Sequence, residues 1–131
     1  MVKIFTYKGK TAEELAKLDI SAYAQLMPAR IRRSLKRGFT EQEKKLLGKI
    51  MKAKEGKYKK IIKTHCREMP ILPVMFGMKI SVHNGKEFVP VSVTEEMVGN
   101  RLGDFTLTCK DVKHGGPGIG ATRGSKFLSV K

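Results

Sequence analysis

Apolar residues in the first half of the chain recur at helical spacing, and most of these stretches open on a recognisable cap. Thr11-Ala-Glu-Glu14 has the form of a capping box, with Thr11 as the cap and Glu14 at the third helical position. A short helix over about 12–18 follows, with Leu15 and Leu18 on one side. Asp19 or Ser21 can cap another helix over roughly 21–27, in which Tyr23, Leu26 and Met27 are apolar. Pro28 punctuates the chain and suits the first residue of a new helical turn. Beyond it Ile31 and Leu35 stand four apart and share a face, Arg30, Arg33 and Arg37 lie on another, and Gly38 is a natural stop. Thr40-Glu-Gln-Glu43 is a second capping box, and it predicts a helix to about Lys54. Leu46, Leu47, Ile50 and Met51 form the stripe expected to face protein, with Lys44, Lys45, Lys49 and Lys52 on the rest and Gly56 at the end. Residues 57–63 suit either a basic extension or a further turn.

The period then changes. Pro70 and Pro73 bracket a stiff link, and Lys79–His83 alternates as a strand with Ile80 and Val82 inward. Asn84-Gly85 is a strong hairpin signal, and Glu87–Val93 returns with Val89, Val91 and Val93 on one face. Pro90 asks for a free edge or a bulge. Thr94 before Glu95 and Glu96 starts a short helix that Gly99 closes, with Met97 and Val98 facing the body. Leu102 joins the expected core, and a last short strand is placed near Thr106–Thr108. The whole reads as an α+β protein. Residues 1–60 form a basic helical N-terminal region, 61–108 a body with a small mixed β-sheet and packed helices, and 109–131 an extended Gly-rich tail.

Charge sharpens this picture. The 131 residues carry a formal net charge of +15. Residues 28–68 hold fifteen basic and four acidic groups, whereas 69–108 hold three basic and four acidic. A nearly neutral packed body flanked by basic arms suits a polyanion, beside which Lys and Arg release condensed counterions. Solubility alone does not need such a concentration. A membrane partner is not expected, because no basic helix has a large apolar face and no apolar run approaches a bilayer span. The start, MVKIFTYKGK, lacks the apolar region of a signal peptide, so a cytoplasmic, reduced chain is the default.

Candidate RNA contacts follow the basic groups. In the leader they are Arg30, Arg32, Arg33, Lys36, Arg37, Lys45, Lys49 and Lys52, and in the link Lys57, Lys59, Lys60, Lys63, His65 and Arg67. In the body they are Lys79, His83, Asn84, Lys86, Asn100 and Arg101, and in the tail Lys110, Lys113, His114, Arg123 and Lys126. Five glycines between 115 and 124 make the tail costly to order. It is expected to be an extended arm, ordered by a close RNA surface that glycine lets the backbone approach.

Other chemistries find little support. The run Gly115–Gly124 lacks the Gly-Lys-Ser/Thr or strand–glycine–helix context of a nucleotide loop. His65, Cys66, His83, Cys109 and His114 lack the close pairs of a zinc site, and both cysteines suit small apolar packers. The acids stand mostly at helix starts, where capping explains them, so neither an enzyme nor a cofactor is expected. Phe88 and Phe105 are the only strand aromatics and are assigned to the core, which leaves recognition to shape and phosphate placement.

Three strings carry a resemblance. Val82-His-Asn-Gly-Lys-Glu-Phe-Val-Pro-Val91, Val93-Thr-Glu-Glu-Met-Val-Gly99 and Arg101-Leu-Gly-Asp-Phe105 resemble the core of the S nineteen family of small-subunit ribosomal proteins. The leader Leu26–Gly38 and the segment Lys63–Met69 are similar to its archaeal and eukaryotic branch. The resemblance implies a structural protein of the small-subunit head, bound to the three-prime major domain of the small-subunit rRNA. It also implies the S thirteen ribosomal protein as neighbour and a tail pointing toward the tRNA sites, where it can touch tRNA. The family most often reads Gly-His-Lys/Tyr-Leu-Gly-Glu-Phe where this chain has Gly99-Asn-Arg-Leu-Gly-Asp-Phe105, so Asn100, Arg101 and Asp104 depart from the pattern. The rival reading is a basic architectural protein for DNA or structured RNA outside the ribosome. No helix carries a dimerisation stripe, so a homo-oligomer is not expected.

Overall fold

The computed structural model describes residues 5–112 and Gly118. Lys113, His114, Arg123 and Lys126, and the expected extended arm, lie outside the described residues.

The chain opens on a hairpin that the hydrophobic pattern does not announce. Strands β1 (Thr6–Tyr7) and β2 (Lys10–Thr11) pair antiparallel around Lys8 and Gly9, whose φ angles are 49° and 78°. Two successive left-handed residues are what a tight two-residue hairpin requires, and glycine supplies the second without strain. Thr11 then caps α1 (Ala12–Lys17): its hydroxyl accepts from the Glu14 N–H, and the Glu14 carboxylate accepts from the Thr11 N–H at 3.1 Å. Helix α2 (Ile20–Leu26) starts after Asp19, which caps by position but makes no side-chain hydrogen bond to the turn. Helix α3 (Ala29–Arg37) follows Pro28, and α4 (Glu41–Lys54) carries the second reciprocal box between Thr40 and Glu43.

The sheet has the order β3-β4-β5, with β3 (Ile62–Thr64) parallel to β4 (Lys79–His83) and β4 antiparallel to β5 (Phe88–Ser92). It is therefore mixed, and the fold is α+β, with helices around a small sheet. The parallel pair needs a crossover, and residues 65–78 provide it through a 3-10 turn at Pro73–Met75. Pro90 stands exposed on the edge strand β5, where a missing N–H is tolerated.

One apolar cluster joins helices to sheet. Leu15, Tyr23, Met27, Ile31, Leu46 and Ile50 from the helices meet Ile62, Ile80, Val82, Val91 and Val93 from the sheet side, with Met69, Ile71, Met75 and Leu102 between. The Tyr23 hydroxyl donates to the Ile71 carbonyl at 2.8 Å, so α2 is tied to the crossover by a buried hydrogen bond.

Several expectations need correction. Met51 is 55% exposed and Leu47 only half-buried, because Leu46 and Ile50, four apart, take the core-facing line of α4. Leu47 and Met51 instead line an apolar groove with Leu18, Phe39 and Val74. Val89 is half-buried at the sheet edge, although Val91 and Val93 are buried as expected. The hairpin does not turn on two residues. His83 pairs with Phe88, leaving a four-residue loop in which the Asn84 carboxamide oxygen accepts from the N–H groups of Lys86 and Glu87 at 2.9 and 2.8 Å. The turn after Thr94 is a 3-10 turn (Glu95–Met97) in which the Thr94 side chain makes no capping bond. No strand forms at Thr106–Thr108: a 3-10 turn spans Leu102–Phe105, and the Gly103 and Thr106 carbonyls accept from Arg67 instead of from a ladder.

Candidate nucleic-acid interface

Helix α3 is short, and its sequence leaves it little choice of orientation. Ile31 and Leu35 are buried, so Arg30, Arg33, Lys36 and Arg37 fall on the opposite sides and are exposed. None of its residues is acidic. Arg32 differs: it is half-buried, and its Nη2 donates back to the Met27 carbonyl at 3.1 Å. On α4 the inward line of Leu46 and Ile50 sends Lys45, Lys49 and Lys52 to solvent. Lys59, Lys60 and Lys86 are exposed, and Lys57 pairs with Glu55 at 2.7 Å in an exposed ion pair of little energetic weight.

The sheet supplies a second surface. Residues directly opposite across a ladder project to the same side. Register therefore places Lys63, Lys79, Ser81, His83, Phe88, Pro90 and Ser92 on one face and Ile62, Ile80, Val82 and Val91 on the core face. The first face carries no carboxylate, and Lys63, Lys79, Pro90 and Ser92 on it are exposed. At one end His65, His83 and Phe88 form a cluster with ring centroids 4.4 to 5.1 Å apart. The Lys63 ammonium lies 5.3 Å from the Phe88 centroid, in cation–π range. Phe88 is thus a member of the open face and not of the core.

Other candidates have internal tasks. The Arg67 guanidinium donates to the carbonyls of His83, Gly103 and Thr106 at 2.7, 2.8 and 2.8 Å. Asn84 is buried, with its carboxamide oxygen committed to the hairpin loop. Asn100 is exposed, and its carbonyl accepts from the Ile71 N–H at 3.0 Å. Arg101 is half-buried, pairs with Glu68 and donates to the Ser34 hydroxyl at 3.3 Å. Asp104 accepts from the Arg101 N–H at 2.8 Å, so its short carboxylate closes the turn locally. Arg30, Arg67 and Arg101 border a cleft of about 350 Å³ with Glu68 and Asp104, which offset part of its positive charge. Lys110 pairs with Glu87 at 2.7 Å; the hydrogen bond and then the charge of Lys110 hold the Glu87 carboxyl below its usual range.

Among the described residues no three His, Cys, Asp or Glu side chains gather to hold a metal ion. Cys66 packs against the core as expected, whereas Cys109 is exposed. No helix among the described residues is long and apolar enough to cross a membrane.

The family model described as Ribosomal protein S19 matches residues 33–114. That span covers more than half of the 131 residues. The chain belongs to this family. Its general role is accordingly ribosomal RNA binding, within a family whose members are not enzymes. The match begins inside α3 and takes in α4, the three-stranded sheet and the Arg67, Arg101 and Asp104 side of the cleft, while Arg30 on the other side of the cleft and β1, β2, α1 and α2 lie ahead of it. Both basic surfaces therefore fall largely within the matched span.

Sequence reasoning missed Phe88 as a surface residue. A two-residue loop at Asn84-Gly85 would set His83 opposite Lys86, whereas the four-residue loop sets it opposite Phe88. Both loops leave Phe88 on the face opposite Val89 and Val91, because a shift of two residues keeps every side chain on its own side, so the signal was present in the alternation of Val89, Val91 and Val93 itself.

Proposed function

We propose that this protein is a structural constituent of the small-subunit head, binding the three-prime major domain of the small-subunit rRNA as part of a cytoplasmic ribosome. The observation that carries the reading is a carboxylate-free sheet face bearing Lys63 and Lys79, together with an acid-free α3 exposing Arg30, Arg33, Lys36 and Arg37. Such surfaces neutralise phosphates and position a protein without reading sequence. Functionally, residues 1–60 act as a basic leader, 61–108 as the RNA-bound body and 109–131 as the tail. Leu26–Gly38 and Lys63–Met69, being similar to archaeal and eukaryotic members, support membership of that branch. By the same resemblance the S thirteen protein is the neighbour and the tail runs toward the tRNA sites.

The test is equilibrium binding of the full chain to transcripts of separate rRNA domains and to duplex DNA at matched salt. Preference for the three-prime major domain is expected. Equal affinity for duplex DNA would overturn the reading in favour of a general architectural protein.

A further inference from the structure

We propose that His65, His83, Phe88 and Lys63 form a seat for one unpaired RNA base and its adjoining phosphate. The inference rests on the rRNA-binding reading and deepens it, replacing recognition by phosphate alone with a stacking contact at a defined place.

The geometry begins with strand pairing. His83 at the end of β4 stands opposite Phe88 at the start of β5, and Lys63 on β3 is brought alongside by its pairing with Ser81. His65, just past the end of β3, adds the third ring at 4.4 Å from His83 and 5.1 Å from Phe88. Phe88 meets both imidazoles nearly edge-on, at 76° and 71°, so it buttresses them, while the two imidazoles lie within 36° of each other. The outermost ring is His65, which is exposed, whereas His83 and Phe88 are half-buried. A planar ring held on a rigid sheet by two others is a stacking platform with its rotamer already restricted.

Polar chemistry at the cluster fits the same occupant. The Gly85 N–H donates to His83 Nδ1 at 3.0 Å, so the neutral ring carries its proton on Nε2, as a donor for a base or phosphate oxygen. Lys63 supplies the charge beside Phe88, and Lys86 stands exposed in the adjoining loop. Glu87, the acidic residue of that loop, is taken up by Lys110. An anion with an aromatic face complements this surface, and an unpaired nucleotide supplies both parts. A duplex keeps its base faces stacked internally and offers only phosphates.

The test uses the full chain with a short single-stranded oligoadenylate, a duplex RNA of equal length and the three-prime major-domain transcript. Adding the oligoadenylate should move the His65 ring-proton resonances upfield. His65→Ala should weaken oligoadenylate binding roughly 5- to 150-fold, the range supplied by stacking of one base. His65→Tyr should restore binding, and because His65 is exposed, urea unfolding should show all three proteins equally folded. Unmoved ring resonances, unchanged affinity in His65→Ala, a preference for the duplex, or no restoration by His65→Tyr would each overturn the base seat. If the parent still bound the transcript, the rRNA-binding reading would survive that loss. A parent that bound neither RNA would overturn both.

Discussion

Replacing Arg67 by alanine should destabilise the body and not merely weaken its hold on RNA. The guanidinium joins three carbonyls from two segments far apart in sequence: His83 at the end of β4, and Gly103 and Thr106 around the last 3-10 turn. Its own backbone carbonyl also accepts from the Gly103 N–H at 2.9 Å. A hydrogen bond to a charged group contributes about 1.5–3 kcal/mol when it can be isolated. Arg67 is half-buried, so water can reach part of what it leaves behind, and the low end applies. Three such bonds then give a loss of about 3–5 kcal/mol for Arg67→Ala. Against a total stability of about 5–15 kcal/mol for a domain, that is a large share. Arg67→Lys keeps the charge but cannot span three acceptors with one ammonium, and should lose about half as much. Urea titration followed by far-ultraviolet circular dichroism measures both, with binding to rRNA measured in parallel. An unchanged urea midpoint for Arg67→Ala, together with weaker RNA binding, would refute the structural role and make Arg67 a phosphate ligand.

Further outcomes can be checked in the same system. A Cβ at Gly103 would stand 2.9 Å from the Arg67 Cβ and 3.0 Å from its carbonyl oxygen, so Gly103→Ala should cost about 1–3 kcal/mol by urea unfolding. Burial, and secondarily the Tyr7 phenol, push the Tyr23 phenol far above its ordinary value. The folded chain therefore keeps that proton where the unfolded chain releases it. The resulting stability is full below a pH of about 10 and is lost as pH rises beyond it. Tyrosinate absorbance should show one ring resisting ionisation until unfolding, and Tyr23→Phe should remove that behaviour at a cost of about 1 kcal/mol for the missing bond to Ile71. Replacing Arg30, Arg32, Arg33 and Arg37 with alanine should flatten the slope of log affinity against log salt by about 0.7–0.9 for each phosphate left unneutralised. An unchanged slope would remove the leader from the interface.

What could be read in the sequence was local. Both capping boxes close within three residues, and both are present with their reciprocal bonds. Alternation placed β4 and the buried Val91 and Val93, because a half-buried strand writes its own period. Strand β3 was hidden because only three residues pair, inside a lysine-rich run whose composition suits any exposed conformation. Its existence depends on Ile62 and Thr64 finding burial against β4, with partners eighteen residues along the chain. The absent strand at Thr106–Thr108 fails for the converse reason: Arg67, remote in sequence, has taken the Thr106 carbonyl.

The same distinction separates the visible part of the interface from the hidden part. Positive charge is a property of residue type, so the excess in residues 28–68 was plain from composition. Whether a cation is available to a phosphate depends on who else claims it. Arg67 and Arg101 reach partners more than fifteen residues away, and Lys110 reaches back to Glu87. The exposed Lys110–Glu87 pair can open at little cost, so Lys110 remains competent to meet RNA. Arg67 cannot turn outward without abandoning three carbonyls, and Arg101 is half-buried in its cleft. Alanine at Arg67 or Arg101 should accordingly change stability more than salt slope, and alanine at Lys63 or Lys79 should do the reverse.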